Sequence, residues 1–139
     1  MRRPLIALAV VAAAVVAAPP ASAKPQCSAP PANVPWHSCL RARDNVLDNG
    51  KVMLTRATPV LVVRLTSPCP SHLAKRRVVV RTAGGKRLAK GKVAGTCHGS
   101  IARFRTVLKP NVTLASGTVI RSFWSGIPDK EEGPKVKLS

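Results

Sequence analysis

Past its first two dozen residues the chain alternates between apolar and polar positions in short runs, each closed by a turn signal. In residues 60–66, Leu61, Val63 and Leu65 fall on one face. In residues 100–108, Ala102, Phe104, Thr106 and Leu108 share one face while Arg103 and Arg105 take the other. A period of two marks a strand with one buried side. Residues 76–82 form a valine-rich run, which Ala83-Gly84-Gly85 turns into a second run over 86–93. Residues 112–114 and 118–124 are further strands, and 135–138 adds a weak edge strand. Asp48-Asn49-Gly50 lies between Val46-Leu47 and Val52-Met53-Leu54 and predicts a hairpin, because Asn-Gly accepts positive φ. Residues 67–71 are excluded from any strand, since Pro68 and Pro70 lack ladder donors.

About seven or eight short strands at this spacing, with no helical periodicity after the first two dozen residues, predict an antiparallel sandwich or barrel. The expected fold class is all-β: a small, disulfide-braced antiparallel sandwich of immunoglobulin-like architecture. Two marks of that architecture are missing. The chain has no tyrosine, and no tryptophan lies between Cys69 and Cys97. The core is expected to contain Leu61, Val63, Leu65 and Phe104, with Trp124 either in it or exposed beside the Ser125-Gly126 turn.

The start of the chain has a different character. Met1-Arg2-Arg3 is followed by an unbroken apolar run over residues 5–18, then Pro19-Pro20, then Ala21-Ser22-Ala23. That order is the order of a cleavable signal peptide, with cleavage after Ala23. The apolar run is shorter than the roughly 20 residues a spanning helix needs. The domain reading is therefore a signal peptide over 1–23, a Pro-rich arm containing Trp36 over 24–44, a β-sandwich body over 45–127, and a tail or edge strand over 128–139. The mature protein is expected to be secreted, with no transmembrane segment.

Export changes how the four cysteines are read. In an oxidising compartment they predict two disulfides, for which three pairings are possible; Cys27–Cys39 with Cys69–Cys97 is the favoured one. The first staples the Pro-rich arm, and the second ties the end of one strand to the start of another. The alternative is metal, since His37, His72 and His98 lie near Cys39, Cys69 and Cys97. Neither C-x₂-C nor H-x₃-H spacing occurs, so no metal is expected.

Charge is the feature least like random scatter. The chain has 23 Lys and Arg against five acids, a formal net charge of +18. From residue 49 to 128 it holds no carboxylate at all. Arg76, Arg77, Arg81, Lys86, Arg87, Lys90 and Lys92 fall on the predicted hairpin, with Arg77 and Arg81 at the same strand parity. Such an array holds anionic polymers by releasing their counterions, and it also keeps a protein soluble. Sequence-specific nucleic-acid binding is not expected, because stacking platforms need more aromatics than Trp36, Phe104, Phe123 and Trp124 supply.

Candidate catalysis is thin. Asp48 is explained by its turn and Asp44 by local turn chemistry or a pairing with Arg41, while Asp129, Glu131 and Glu132 sit in a Gly/Pro-rich segment. No histidine has a carboxylate near it in sequence to orient it as a base. G-x-S-x-G, Walker and dinucleotide glycine patterns are absent. Gly84-Gly85 reads as a hairpin turn rather than a phosphate loop. Asn111-Val112-Thr113 is a glycosylation sequon, relevant in a host that glycosylates exported proteins. The expectation is a non-enzymatic, cofactor-free exported binding module for an anionic polymer or surface. The alternative is a secreted inhibitor or other protein-interaction domain that presents the braced loop over residues 66–73, since pre-organisation lowers the entropy lost on binding.

Overall fold

The computed structural model describes residues 25–28, 34–128 and 134–139. The proposed signal peptide and the acidic residues Asp129, Glu131 and Glu132 lie outside the described residues. Within them the chain is all-β, with two antiparallel sheets and no helix.

The strands in chain order are β1 (Gln26–Cys27), β2 (Trp36–Val46), β3 (Lys51–Arg64), β4 (Arg76–Thr82), β5 (Arg87–Val93), β6 (Gly95–His98), β7 (Ile101–Arg105), β8 (Val112–Ala115), β9 (Val119–Trp124) and β10 (Lys135–Lys137). The first sheet runs β1-β2-β3-β7-β6, and β8 also pairs with β3. The second runs β10-β9-β4-β5. Strand β3 organises the first sheet. Its whole length pairs with β2, its C-terminal part with β7 and its N-terminal part with β8. An Ala57–Leu108 bridge spans the gap between those two partners.

Two local features let β3 run for 14 residues. The pairing shifts between Arg43↔Arg56 and Asp44↔Leu54, so Thr55 is an extra residue. This bulge reverses the parity of the strand: Val52 and Leu54 face the interior before it, and Ala57, Pro59, Leu61 and Val63 after it. Pro59 sits inside the strand without breaking the ladder, because its missing N–H faces the point where β7 has already ended. The turn before β3 is the predicted hairpin, with Leu47 N–H bonded to Lys51 O at 2.8 Å and Gly50 at φ 75°.

The interior faces of the two sheets pack together in two lobes. One joins Leu40, Ala42, Leu54 and Ala57 to Val80, Ile120 and Val136. The other joins Leu61, Val63, Ala102 and Phe104 to Val78, Val93 and Trp124. Of the expected core, Leu61, Val63 and Phe104 are buried, and Leu65 lies half-buried against the second lobe just after β3 ends. Trp124 is core.

Both expected disulfides form. Cys27 and Cys39 face each other across the β1–β2 ladder, and Cys69, in the loop after β3, joins Cys97 on β6. The sequence places the end of an N-terminal arm at residue 44, whereas β2 runs straight through that position and forms an inner strand of its sheet. The inward residues of β2 are Ser38, Leu40, Ala42 and Asp44, so its alternation is weakly apolar. Asp44 does not pair with Arg41, which points to the opposite face. Its carboxylate accepts hydrogen bonds from the Ser139 N–H at 2.7 Å and the Ser139 hydroxyl at 3.2 Å.

Candidate functional site

The outer face of the second sheet collects much of the predicted basic hairpin. On β4, Val78 and Val80 are buried, so Arg77, Val79 and Arg81 point outward. On β5, Lys92 lies opposite Arg77 and Lys90 opposite Val79, while Arg87 lies opposite Arg81 after a bulge. Arg77, Arg81, Arg87, Lys90 and Lys92 therefore share one surface. Two predicted members stand apart. Arg76 has the other parity: its guanidinium lies 5.2 Å from the Phe104 ring centroid and donates to Ser125 O at 2.8 Å. Lys86 is in the turn, where its backbone N–H bonds to the Thr82 hydroxyl at 3.1 Å. Gly85, at φ 93°, closes that turn.

The face is wider than the hairpin, because β9 packs on the other side of β4. Arg121 is opposite Arg81, and Lys135 of β10 is opposite Arg121. Arg87, Arg81, Arg121 and Lys135 thus form one row across all four strands. At about 4.8 Å per strand the row is roughly 14 Å long. Phe123 lies half-buried beneath its middle, with the Arg81 and Arg121 guanidiniums 5.4 and 5.2 Å from the ring centroid. Cation–π contacts of this kind hold both forks over the sheet. Sequence reasoning did not include Arg121 and Lys135. The signal for Arg121 was its shared parity with Phe123 in residues 118–124.

Like charges directly opposed across a ladder destabilise a sheet. Here Arg77↔Lys92, Arg81↔Arg87, Arg81↔Arg121 and Lys135↔Arg121 are all directly opposed. The acidic residues among those described are Asp44, which is buried on the first sheet, and Asp48, in the β2–β3 turn. Neither lies on this face. Among the described residues no carboxylate on this face offsets the repulsion among Arg87, Arg81 and Arg121, and the contacts with Phe123 offset only part of it.

Other candidate residues are dispersed. His37 is on the outer face of the first sheet, His72 in the β3–β4 loop and His98 on β6. Among the described residues, no three His, Cys, Asp or Glu side chains are grouped so as to hold a metal. The loop over residues 66–73 is mostly exposed. It is pinned by the Cys69–Cys97 disulfide, by Cys69 N–H bonded to Gly99 O at 3.0 Å, and by Leu73 packing on the core. Asn111 of the sequon is exposed at φ 47°. Among the described residues no helix is long and apolar enough to cross a membrane. In comparisons with known proteins, no family model, no curated protein and no solved structure matches the chain.

Proposed function

We propose that the protein is an exported, non-enzymatic binding domain that holds an anionic polymer of the cell surface or its surroundings on the outer face of the second sheet. The observation that carries this reading is the set Arg87, Arg81 and Arg121, in register across three strands with no carboxylate among the described residues of the face, and with Lys135 continuing the row on β10. A solubilising charge needs no register. A row kept against its own repulsion implies a ligand that relieves the repulsion on binding. Two disulfides and the leader-like first 23 residues support export. Purified from its host, the protein is expected to begin at Lys24, and an intact mass that includes residues 1–23 contradicts export. The immunoglobulin-like reading of the sandwich belongs to the same proposal, supported by connections that cross between sheets from β3 to β4 and from β5 to β6.

The test is retention on immobilised heparin and on immobilised polyphosphate, comparing the wild type with Arg77→Glu/Arg81→Glu. The double variant is expected to elute at markedly lower salt from both, since charge contacts carry little chemical identity. Equal retention refutes the reading. It would also move the protein-interaction alternative forward, which the pinned and exposed loop over residues 66–73 supports.

A further inference from the structure

The outer face of the first sheet carries a second basic surface with a different composition. Strand β3 runs along its centre and presents Thr58, Val60 and Val62 outward. On one side β2 places Arg41 opposite Thr58 and Arg43 opposite Arg56. On the other, β7 places Arg105 opposite Val60 and Arg103 opposite Val62. The flanking strands are two ladder spacings apart, about 10 Å. Between His37, Cys39 and Arg41 on one side and Arg103 and Arg105 on the other lies a shallow groove of about 470 Å³, bordered beyond β2 by Pro25 and the Cys27–Cys39 disulfide. It continues past Arg41 and Arg105 into a smaller hollow of about 160 Å³ beside Arg43 and Arg56. Successive rows along β3 are about 6.8 Å apart, so the cations extend over roughly 20 Å.

The chemistry of the groove is one-sided. Its five cations are all arginines, in contrast to the Lys/Arg mixture on the opposite face, and each guanidinium offers five N–H donors and no acceptor. Against these, among the described residues lining the groove, Thr58 and His37 are the side chains with an oxygen or nitrogen acceptor. The floor between the flanking strands is Thr58, Val60 and Val62. A saccharide or peptide polymer brings hydroxyl or amide donors for which the lining offers few acceptors, so those groups gain nothing from the arginines. A nucleic acid would find no Trp, Tyr or Phe there, and a single imidazole, His37, is too little for a stacking platform. A chain of phosphate groups has acceptors and no donors, and its oxygens match the planar fork bidentately.

We propose that this groove is a second binding site, selective for a linear phosphate chain. The proposal shares with the preceding reading the premise that the basic surfaces serve binding, but its residues are disjoint from those of the second sheet. The two are therefore separable by experiment. Arg41, Arg103 and Arg105 are exposed. The triple replacement Arg41→Lys/Arg103→Lys/Arg105→Lys preserves net charge and removes only the forks. Binding of medium-chain inorganic polyphosphate and of heparin is measured by calorimetry at about 0.15 M salt.

The triple variant is expected to weaken polyphosphate binding by roughly fivefold or more and to leave heparin within about twofold of wild type. Arg77→Glu/Arg81→Glu is expected to show the opposite bias, with heparin losing more. Wild-type polyphosphate affinity in the triple variant overturns the proposal. So does an equal loss for both polymers, because that is the behaviour of undifferentiated charge. Unchanged heparin binding by Arg77→Glu/Arg81→Glu instead removes the second-sheet reading and leaves the groove in place. Should the triple variant fail to fold by circular dichroism, Arg103→Lys alone carries the same comparison, with a proportionally smaller polyphosphate loss expected and none overturning the proposal.

Discussion

Arg81 stands between two cations in register, Arg87 on β5 and Arg121 on β9, and Arg81→Glu turns both pairs from repulsive to attractive. Cross-strand charge pairs contribute about 0.2–1 kcal/mol each. Removing two repulsions and adding two attractions is worth about 2 kcal/mol at mid-range. The lost guanidinium contact with Phe123, 5.4 Å from the centroid, returns about 0.5–1 kcal/mol of that. The net expectation is a gain of roughly 1 kcal/mol at low ionic strength, a rise in Tm of about 4 °C for a domain of this size. Near 1 M salt the Debye length falls to about 3 Å and the gain should largely vanish. The assay is denaturant and thermal unfolding at both salt levels, paired with polyanion binding. Stability should rise while binding falls. A side chain kept for the fold would lower both. A loss of stability at low salt, or a gain that persists unchanged at 1 M, refutes the claim that the row is held against its own repulsion.

Three further expectations concern the scaffold. Phe104 is fully buried in the second core lobe, so Phe104→Ala should cost about 3–5 kcal/mol in chemical denaturation, and a loss below about 1 kcal/mol would contradict that placement. Asp44→Ala removes both bonds to Ser139 and should cost about 2 kcal/mol, read as a lowered Tm together with faster amide exchange at residues 136–139; unchanged exchange there would show that the carboxylate does not hold the strand end. Replacing Cys69 and Cys97 by serine opens a loop of 28 residues and should cost about 3.6 kcal/mol in the chain-entropy model, measured against the wild type under non-reducing conditions; equal stability would place no constraint on that loop.

The strands with clean alternation were legible from the residues alone. The run over 100–108 shows Ala102 and Phe104 buried with Arg103 and Arg105 exposed, as its period requires, whereas β4 and β9 were found as apolar runs whose inward face, Val78 and Val80 or Ile120, Ser122 and Trp124, only the structure shows. Asn49-Gly50 was equally direct through φ, while the cysteine pairing is one of three, favoured by which segments it ties together, and both of its disulfides form. Three elements were hidden, each for a physical reason. Strand β2 buries Ser38, Ala42 and Asp44, so its inner face does not read as apolar. In β3 the bulge at Thr55 breaks the period and Pro59 mimics a terminator, so one strand looked like two. Strand β6, Gly95-Thr96-Cys97-His98, has no large apolar residue. Its Gly95 is needed where the Phe104 ring lies against the backbone, and a Cβ there would meet that ring at 2.6 Å.

The basic surfaces were legible by strand and not by face. Parity placed Arg77 with Arg81 and Arg103 with Arg105, and it could have placed Arg41 with Arg43. No local pattern shows that β2 and β7 flank the same strand, or that β9 brings Arg121 beside Arg81. Those juxtapositions come from long-range pairing, which is decided by the packing of the whole core.

The salt dependence of heparin binding by the wild-type protein tests the central claim most directly. If the row of four cations on the second sheet engages anionic groups as a unit, log K should fall against log salt with a slope of about −3 to −4, each neutralised group contributing up to about −0.9. A slope near zero, with binding that persists at high salt, would mean that charge does not hold the partner and would contradict the account.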